Sequence, residues 1–284
     1  MKSPTRHTMI LSTGGALSYI TAGDEANPAL LLIHGFPSSS RTFRDVIPSL
    51  AEVAFVVAPD MPGSGESDVL AEPSFQAAAD AIKELLAKLG VGPRYIYLHD
   101  FGAPLGLQIA MEQAESVLGL IVQNANAHQS GLGPQWDGTK AFWSDPTKEN
   151  EAKATAHLTF EGTRDQYVAQ VPDDIAVKID PESWEEDWRI MQRPGRLDTQ
   201  KALIADYGNY VQRFGDIAAY LKQHQPNALM LWGRHDSFFD LNETVSWMRA
   251  LPRMEAHILD AGHFVLETEA PKAASLMVEF IKRN

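Results

Sequence analysis

A chain of 284 residues, 44% hydrophobic and 21% charged, has a globular composition and the length for one large α/β domain with a small insertion. A net charge of −13 argues against nucleic acid, whose phosphates need clustered Lys and Arg, and the lack of cysteine excludes disulfides and thiolate metal sites. No apolar run approaches the roughly 20 residues of a membrane span, and MKSPTRHTMI has no signal-peptide core. The expectation is a cytoplasmic protein, monomer or homodimer, that contacts neither membrane nor nucleic acid.

Strand-like segments are expected near Thr8 to Ser12 and Leu17 to Thr21. Ala29 to Ile33 (ALLLI) and Val53 to Pro59 (VAFVVAP) are continuous apolar runs, the pattern of strands buried on both faces of a parallel sheet. Phe75 to Leu89 has helical spacing, with Ala78, Ile82, Leu85, Leu86 and Leu89 on one face, and stops at Gly90. Tyr95 to Leu98 reads as the next buried strand, and Leu118 to Gln123 follows a further helix. From about Asn126 to His224 strands cease; Trp136, Trp143, Trp184 and Trp188 fall here among many charges, in what reads as short helices and loops. A strand resumes at Ala228 to Trp232, then a helix at Thr244 to Leu251, a strand at Glu255 to Leu259 and a helix from about Pro271 to Lys282. The order predicts an α/β fold with a mostly parallel sheet flanked by helices. Its core would comprise residues 1–126 and 225–284, with a helical cap, or lid, inserted at residues 127–224.

The most informative turn is His99-Asp100-Phe101-Gly102, between the Tyr95 strand and the helical pattern that begins at Gly102. A sharp strand-to-helix turn presents a side chain at the mouth of a sheet, close to backbone N–H groups. Serine there would suggest an esterase; Asp100 suggests a nucleophile that displaces a leaving group from carbon and forms an alkyl ester. His34-Gly35-Phe36-Pro37 follows the ALLLI strand, so the N–H groups of Phe36 and Phe101 can form an oxyanion hole. Asp236 (in WGRHD) follows the resumed strand and His263 (in DAGHF) follows the last one. The order Asp100, Asp236, His263 is nucleophile, acid, base. Pro62-Gly63-Ser64-Gly65-Glu66 lacks the spacing of a serine elbow and of a dinucleotide fingerprint. No spacing of carboxylates and histidines suggests a metal, and the two-step displacement needs neither metal nor cofactor.

These motifs, with APDMPGSGESD from Ala58 to Asp68, resemble the α/β-hydrolase superfamily over nearly the whole chain. Within it they resemble the branch with an aspartate nucleophile, which holds epoxide hydrolases and haloalkane and haloacetate dehalogenases. The resemblance implies Asp100 as nucleophile, His263 as base, Asp236 as the acid that orients it, and Phe36 and Phe101 as oxyanion-hole residues. It also implies two lid tyrosines that protonate an epoxide oxygen, here Tyr167 and Tyr207, with Tyr210 as a spare. One departure is Leu98, where the branch usually has a small residue two places before the nucleophile.

The leaving group divides the branch. Haloalkane dehalogenases hold halide with a Trp after the nucleophile and a second Trp or Asn, and haloacetate dehalogenases place Arg after the nucleophile. Here Phe101 and Phe36 stand at those positions and offer no side-chain donor. An epoxide opened to a vicinal diol is the reading, with a dehalogenase as alternative. Trp136, Trp143 and His157 in the lid are further donors, and His34, Trp136, Trp143 and Tyr210 are expected around an apolar pocket for a small electrophile. Two rivals are a non-catalytic binding protein on the same scaffold and a lactone or ester hydrolase with Asp100 as general base.

Overall fold

The computed structural model describes residues 3–284. Eight strands form one sheet in the order β1-β2-β4-β3-β5-β6-β7-β8. They are β1 (Thr5–Ile10), β2 (Ala16–Ala22), β3 (Ala29–Ile33), β4 (Phe55–Pro59), β5 (Arg94–His99), β6 (Val117–Gln123), β7 (Ala228–Gly233) and β8 (Glu255–Leu259). Strand β2 runs antiparallel to β1 and β4, and every pair from β4 to β8 is parallel. The central strands β3, β4, β5 and β7 are buried at every residue, as continuous apolar runs require when helices cover both faces. Side chains alternate between two cores: Leu31, Ile33, Ile96 and Leu98 enter one, and Leu30, Leu32, Tyr95 and Tyr97 the other.

The helices follow in chain order: α1 (Ile47–Leu50), α2 (Phe75–Lys88), α3 (Gly102–Glu112), then α4 (Asp137–Ser144), α5 (Lys148–Ala154), α6 (Phe160–Val168), α7 (Asp173–Ala176), α8 (Glu182–Met191), α9 (Arg196–Gln212) and α10 (Phe214–His224) between β6 and β7. After them come α11 (Asn242–Ala250) and α12 (Val265–Arg283). Helix α2 matches its periodicity closely: Ser74 caps it by accepting from the Ala77 N–H, and Gly90, at φ 66°, ends it. Between β6 and β7 the described chain is helix and loop only, and it closes over the carboxyl ends of the strands.

Several boundaries differ from the sequence reading, and three of them have a clear physical reason. Strand β1 starts at Thr5 because its residues pair with β2 from Thr5↔Thr21 onward, although most of them are exposed and carry no apolar signal. Strand β4 starts at Phe55, since Val53 and Ala54 still close the turn after α1 on the Leu50 carbonyl. The last helix begins at Val265, and Pro271, which suggests a start, instead follows a kink at Glu269 (φ −122°, ψ 20°).

The topology locates the site. Chain order passes from β3 outward to β4 and returns to β5 on the other side of β3, a switch point of the kind where open sheets bind ligands. Parallel pairing of Ile33 with Leu98 brings the loops after β3 and β5 out side by side.

Candidate active site

Strand β5 ends at His99 and α3 begins at Gly102, so Asp100 and Phe101 make the whole turn. Asp100 has φ 46°, a left-handed conformation uncommon for a residue with a side chain. The neighbouring loop must be small to allow this: a Cβ on Gly35 would lie 2.5 Å from the Asp100 Cβ. Leu98 is accommodated in the same way, because a Cβ on Gly106 of α3 would collide with its Cδ2. The bulk that is unusual on the strand is matched by its absence on the helix.

Asp100 is 6% exposed, and its Oδ2 accepts from the Phe36 N–H at 2.7 Å. Burial pushes its carboxyl above the usual range, opposed by the nearby His263 and by the N–H groups of Phe101 and Phe36. The Phe36 N–H thus already meets an oxygen on which charge would grow when an Asp100 ester is attacked, and the Phe101 N–H favours the charge of the same carboxyl.

His263 Nδ1 lies 3.0 Å from Asp236 Oδ2, and both side chains are nearly inaccessible. Asp236 is held on both oxygens: Oδ2 also accepts from Asn124 Nδ2 at 2.7 Å, and Oδ1 from the Phe238 N–H at 2.7 Å. Burial acts to lower the His263 pKa but is outweighed by Asp236 and the charge of Asp100, so the imidazole lies above its ordinary value. His263 Nε2 is buried and has no protein partner. With Nδ1–H on Asp236, that nitrogen is a free acceptor for a water proton. His99 packs against the imidazole with ring centres 4.7 Å apart; burial, then His263, hold it well below its ordinary pKa, and neither of its nitrogens is hydrogen-bonded.

A cavity of about 190 Å³ opens over Asp100. Phe36, Phe101 and Phe238 line its sheet side, and Trp136, Ile204, Tyr207, His157 and Gln166 its cap side, with no Lys or Arg among the lining residues. Tyr207 is fully buried and its hydroxyl has no hydrogen-bond partner. Its ring is stacked on Trp136 (4.9 Å) and Trp143 (5.8 Å). Burial pushes its phenol well above the ordinary value, so it stays protonated. His157 stands edge-on to Phe36 at 5.7 Å, and burial lowers its pKa.

Four expected pocket or catalytic residues are placed elsewhere. The Tyr167 hydroxyl donates to Asp187, and its ring lies flat on Phe264 at 4.0 Å, away from the cavity. Tyr167 and Tyr207 are therefore not brought together as a pair of lid acids. Tyr210 donates to the Asn126 carbonyl and supports Tyr207 from behind. Trp143 likewise backs Tyr207 without lining the cavity. His34 sits beneath the loop, where Nε2 accepts from the Met61 N–H at 2.9 Å and Nδ1 pairs with the Gly35 carbonyl; burial keeps it neutral. Trp136 does line the cavity, but its N–H donates to the Phe238 carbonyl at 2.7 Å, and that of Trp143 to the Ile204 carbonyl at 2.8 Å. Neither indole has a donor left for halide.

Asn124, Thr139 and Gln166 had no sequence signal strong enough to single them out. Asn124 (φ 37°) ties the end of β6 to β7, accepting from the Gly233 N–H at 2.8 Å while donating to Asp236. Gln166 precedes Tyr167, and one step along a helix turns a side chain by about 100°, which puts Gln166 on the cavity and Tyr167 off it. Among the described residues no group of three or more His, Cys, Asp or Glu could hold a metal, and no helix is long and apolar enough to cross a membrane.

The family model for the alpha/beta hydrolase fold matches residues 28–270. The chain is 28% identical over 283 residues to an uncharacterised hydrolase of Saccharomyces cerevisiae, covering 98% of this chain and 97% of that one. The structure of the epoxide hydrolase CorEH superposes with a TM-score of 0.77 at 21% identity, covering 99% of both chains. A loop variant of the haloalkane dehalogenase DbeA from Bradyrhizobium elkanii does so with a TM-score of 0.75 at 18% identity, covering 98% of this chain and 97% of that one. At such identities the two structures share a fold with this chain.

Proposed function

The chain belongs to the α/β-hydrolase fold family, and from its site we propose that it opens an epoxide to a vicinal diol through an ester on Asp100. In the first step an Asp100 oxygen attacks an epoxide carbon, the C–O bond breaks, and the Tyr207 hydroxyl gives its proton to the departing oxygen. His157, kept neutral by burial, lines the same cavity. In the second step His263 takes a proton from water, and the hydroxide attacks the Asp100 carbonyl carbon. The N–H groups of Phe36 and Phe101 hold the resulting oxyanion. Collapse breaks the ester, His263 returns its proton to the diol oxygen, and the proton left on Asp100 restores Tyr207 through solvent. The sum is epoxide plus water to diol. Residues 127–224 act in this reading as the cap that supplies Tyr207 and His157.

Ester formation also makes His263 a better base at neutral pH. The charge of Asp100 helps hold the imidazole pKa up, and that charge is gone once the ester forms.

The observation that carries the proposal is the pairing, in one cavity, of a buried carboxylate with an unpartnered tyrosine hydroxyl. Both lid indoles are already hydrogen-bonded to carbonyls, which disfavours a halide. The lack of Lys or Arg in the lining disfavours a haloacid. The test is intact-protein mass spectrometry of His263→Gln incubated with an aryl epoxide, a haloalkane or fluoroacetate. Added mass equal to the whole epoxide is the expected result; an added alkyl or carboxymethyl group would move the assignment to dehalogenation.

A further inference from the structure

We infer that Gln166, assisted by Thr139, forms a recognition subsite for an uncharged oxygen-bearing substituent on the epoxide. The inference rests on the epoxide reading and adds to it a substrate class: epoxides that carry an ether, hydroxyl or carbonyl oxygen near the ring.

Gln166 is 6% exposed and lines the cavity, yet its carboxamide makes no hydrogen bond with any described residue. Two other polar side chains of the cap wall are satisfied: Gln135 donates to the Ser237 carbonyl, and Trp136 to that of Phe238. On the same helix Thr163 bonds the Thr159 carbonyl at 2.8 Å. Gln166, like Tyr207, has no such partner and faces the cavity, and a substrate that covers its amide without pairing with it incurs a cost. Thr139 also lines the cavity with a hydroxyl that has no partner. The end of α6 packs over the base loop, with the Tyr167 carbonyl 3.5 Å from where a Cβ on Gly262 would stand. Gln166 therefore enters the cavity from the His263 side.

A carboxamide both donates and accepts, so it pairs with ether, carbonyl or hydroxyl oxygen alike. Charge narrows the class. With no Lys or Arg in the lining and Asp100 at its floor, a carboxylate or phosphate substituent would meet repulsion without a counter-ion. A site whose polar group pairs with the substrate discriminates against the analogue that lacks the partner, because the group is then left unpaired.

The experiment compares a straight-chain terminal epoxide with the glycidyl ether in which one methylene is replaced by oxygen. Ester formation on Asp100 is followed by rapid-quench mass spectrometry in the His263→Gln background, with and without Gln166→Met. Both substrates are measured on one protein sample, so any loss of folded protein cancels in their ratio. The ether should alkylate Asp100 on the order of tenfold faster, and Gln166→Met should bring the ratio to about one. Gln166→Asn, with a shorter carboxamide, should keep part of the preference. A ratio near one with Gln166 intact, or an unchanged ratio in Gln166→Met, overturns the subsite. If Gln166→Met, with His263 present, instead slows ester hydrolysis equally for both substrates, Gln166 holds the attacking water and the subsite is likewise overturned. Absence of ester from both epoxides overturns the epoxide reading itself, and the subsite with it.

Discussion

The two walls of the cavity are built differently. On the sheet wall nearly every polar atom is already held: Asp100 by the Phe36 N–H, His263 by Asp236, and Asp236 by Asn124 and the Phe238 N–H. His263 Nε2 has no protein partner, and it is the atom that must be free to take a proton from water. On the cap wall the Tyr207 hydroxyl and the Gln166 and Thr139 side chains have no protein partner. Fixed dipoles suit a step whose charge always develops at the same atoms, since no reorganisation is needed during reaction. Unpaired groups suit recognition, because their partner arrives with the substrate. The proposed roles of nucleophile and base therefore fall to the strand ends, and those of acid and substrate choice to the cap.

Substitutions on the two walls should break different things. Asp100→Ala should reduce turnover at least about a thousandfold and abolish labelling by epoxide, read by steady-state kinetics and mass spectrometry. His263→Gln should allow about one equivalent of ester per enzyme and then stop, visible as a burst without steady turnover. On the cap wall, Tyr207→Phe should slow ester formation by roughly ten- to a hundredfold and leave ester hydrolysis nearly unchanged in single-turnover experiments. Tyr167→Phe should leave ester formation unchanged, because its hydroxyl serves Asp187; it should cost about 1–3 kcal/mol of stability, measured by denaturant unfolding. Equal kinetic losses in Tyr207→Phe and Tyr167→Phe would erase the distinction drawn between them.

Two effects of pH sharpen the same contrast. The His263 pKa is raised with help from the Asp100 charge, so NMR titration of Asp100→Asn should find the imidazole pKa lower than in the wild type. Ester hydrolysis needs neutral His263 and should fall as pH falls through that lower value. The other effect is structural. Burial pushes Asp187 up to about 7, whereas an unfolded carboxyl titrates near ~4. The folded state then binds the extra proton, so this group's stabilisation is complete below about pH 4 and is lost as pH rises through about 7. Asp187→Asn should raise the melting temperature at pH 8 by at least about 2 °C relative to wild type, with a smaller gain at pH 5.

Much of the sheet wall was legible in the sequence because its signals are local. ALLLI, RYIYLH and ALMLW are largely apolar runs of the kind a doubly covered strand shows, and each ends in a short loop that carries at least one candidate site residue. The antiparallel edge was harder to place, since β1 is mostly exposed and owes its extent to pairing with β2. The cap was legible only as a helical block. Which of its aromatic residues reach the cavity depends on helix rotation and on hydrogen bonds to distant carbonyls, and neither leaves a trace in local pattern. Tyr167 shows this best: a tyrosine at the expected place is turned to Asp187, 20 residues further along the chain, while the adjacent Gln166 takes the position on the cavity.

The central claim, that Asp100 becomes an ester which water then cleaves at the carboxyl carbon, is tested most directly by single turnover of the wild-type enzyme in heavy-oxygen water with protein in excess over an aryl epoxide. The account predicts that the label enters the Asp100 side chain, found in the peptide that contains it, and that the first diol formed carries none. Label in the first diol with an unlabelled Asp100 would mean direct attack of water on the substrate, with Asp100 as a general base, and would contradict the account.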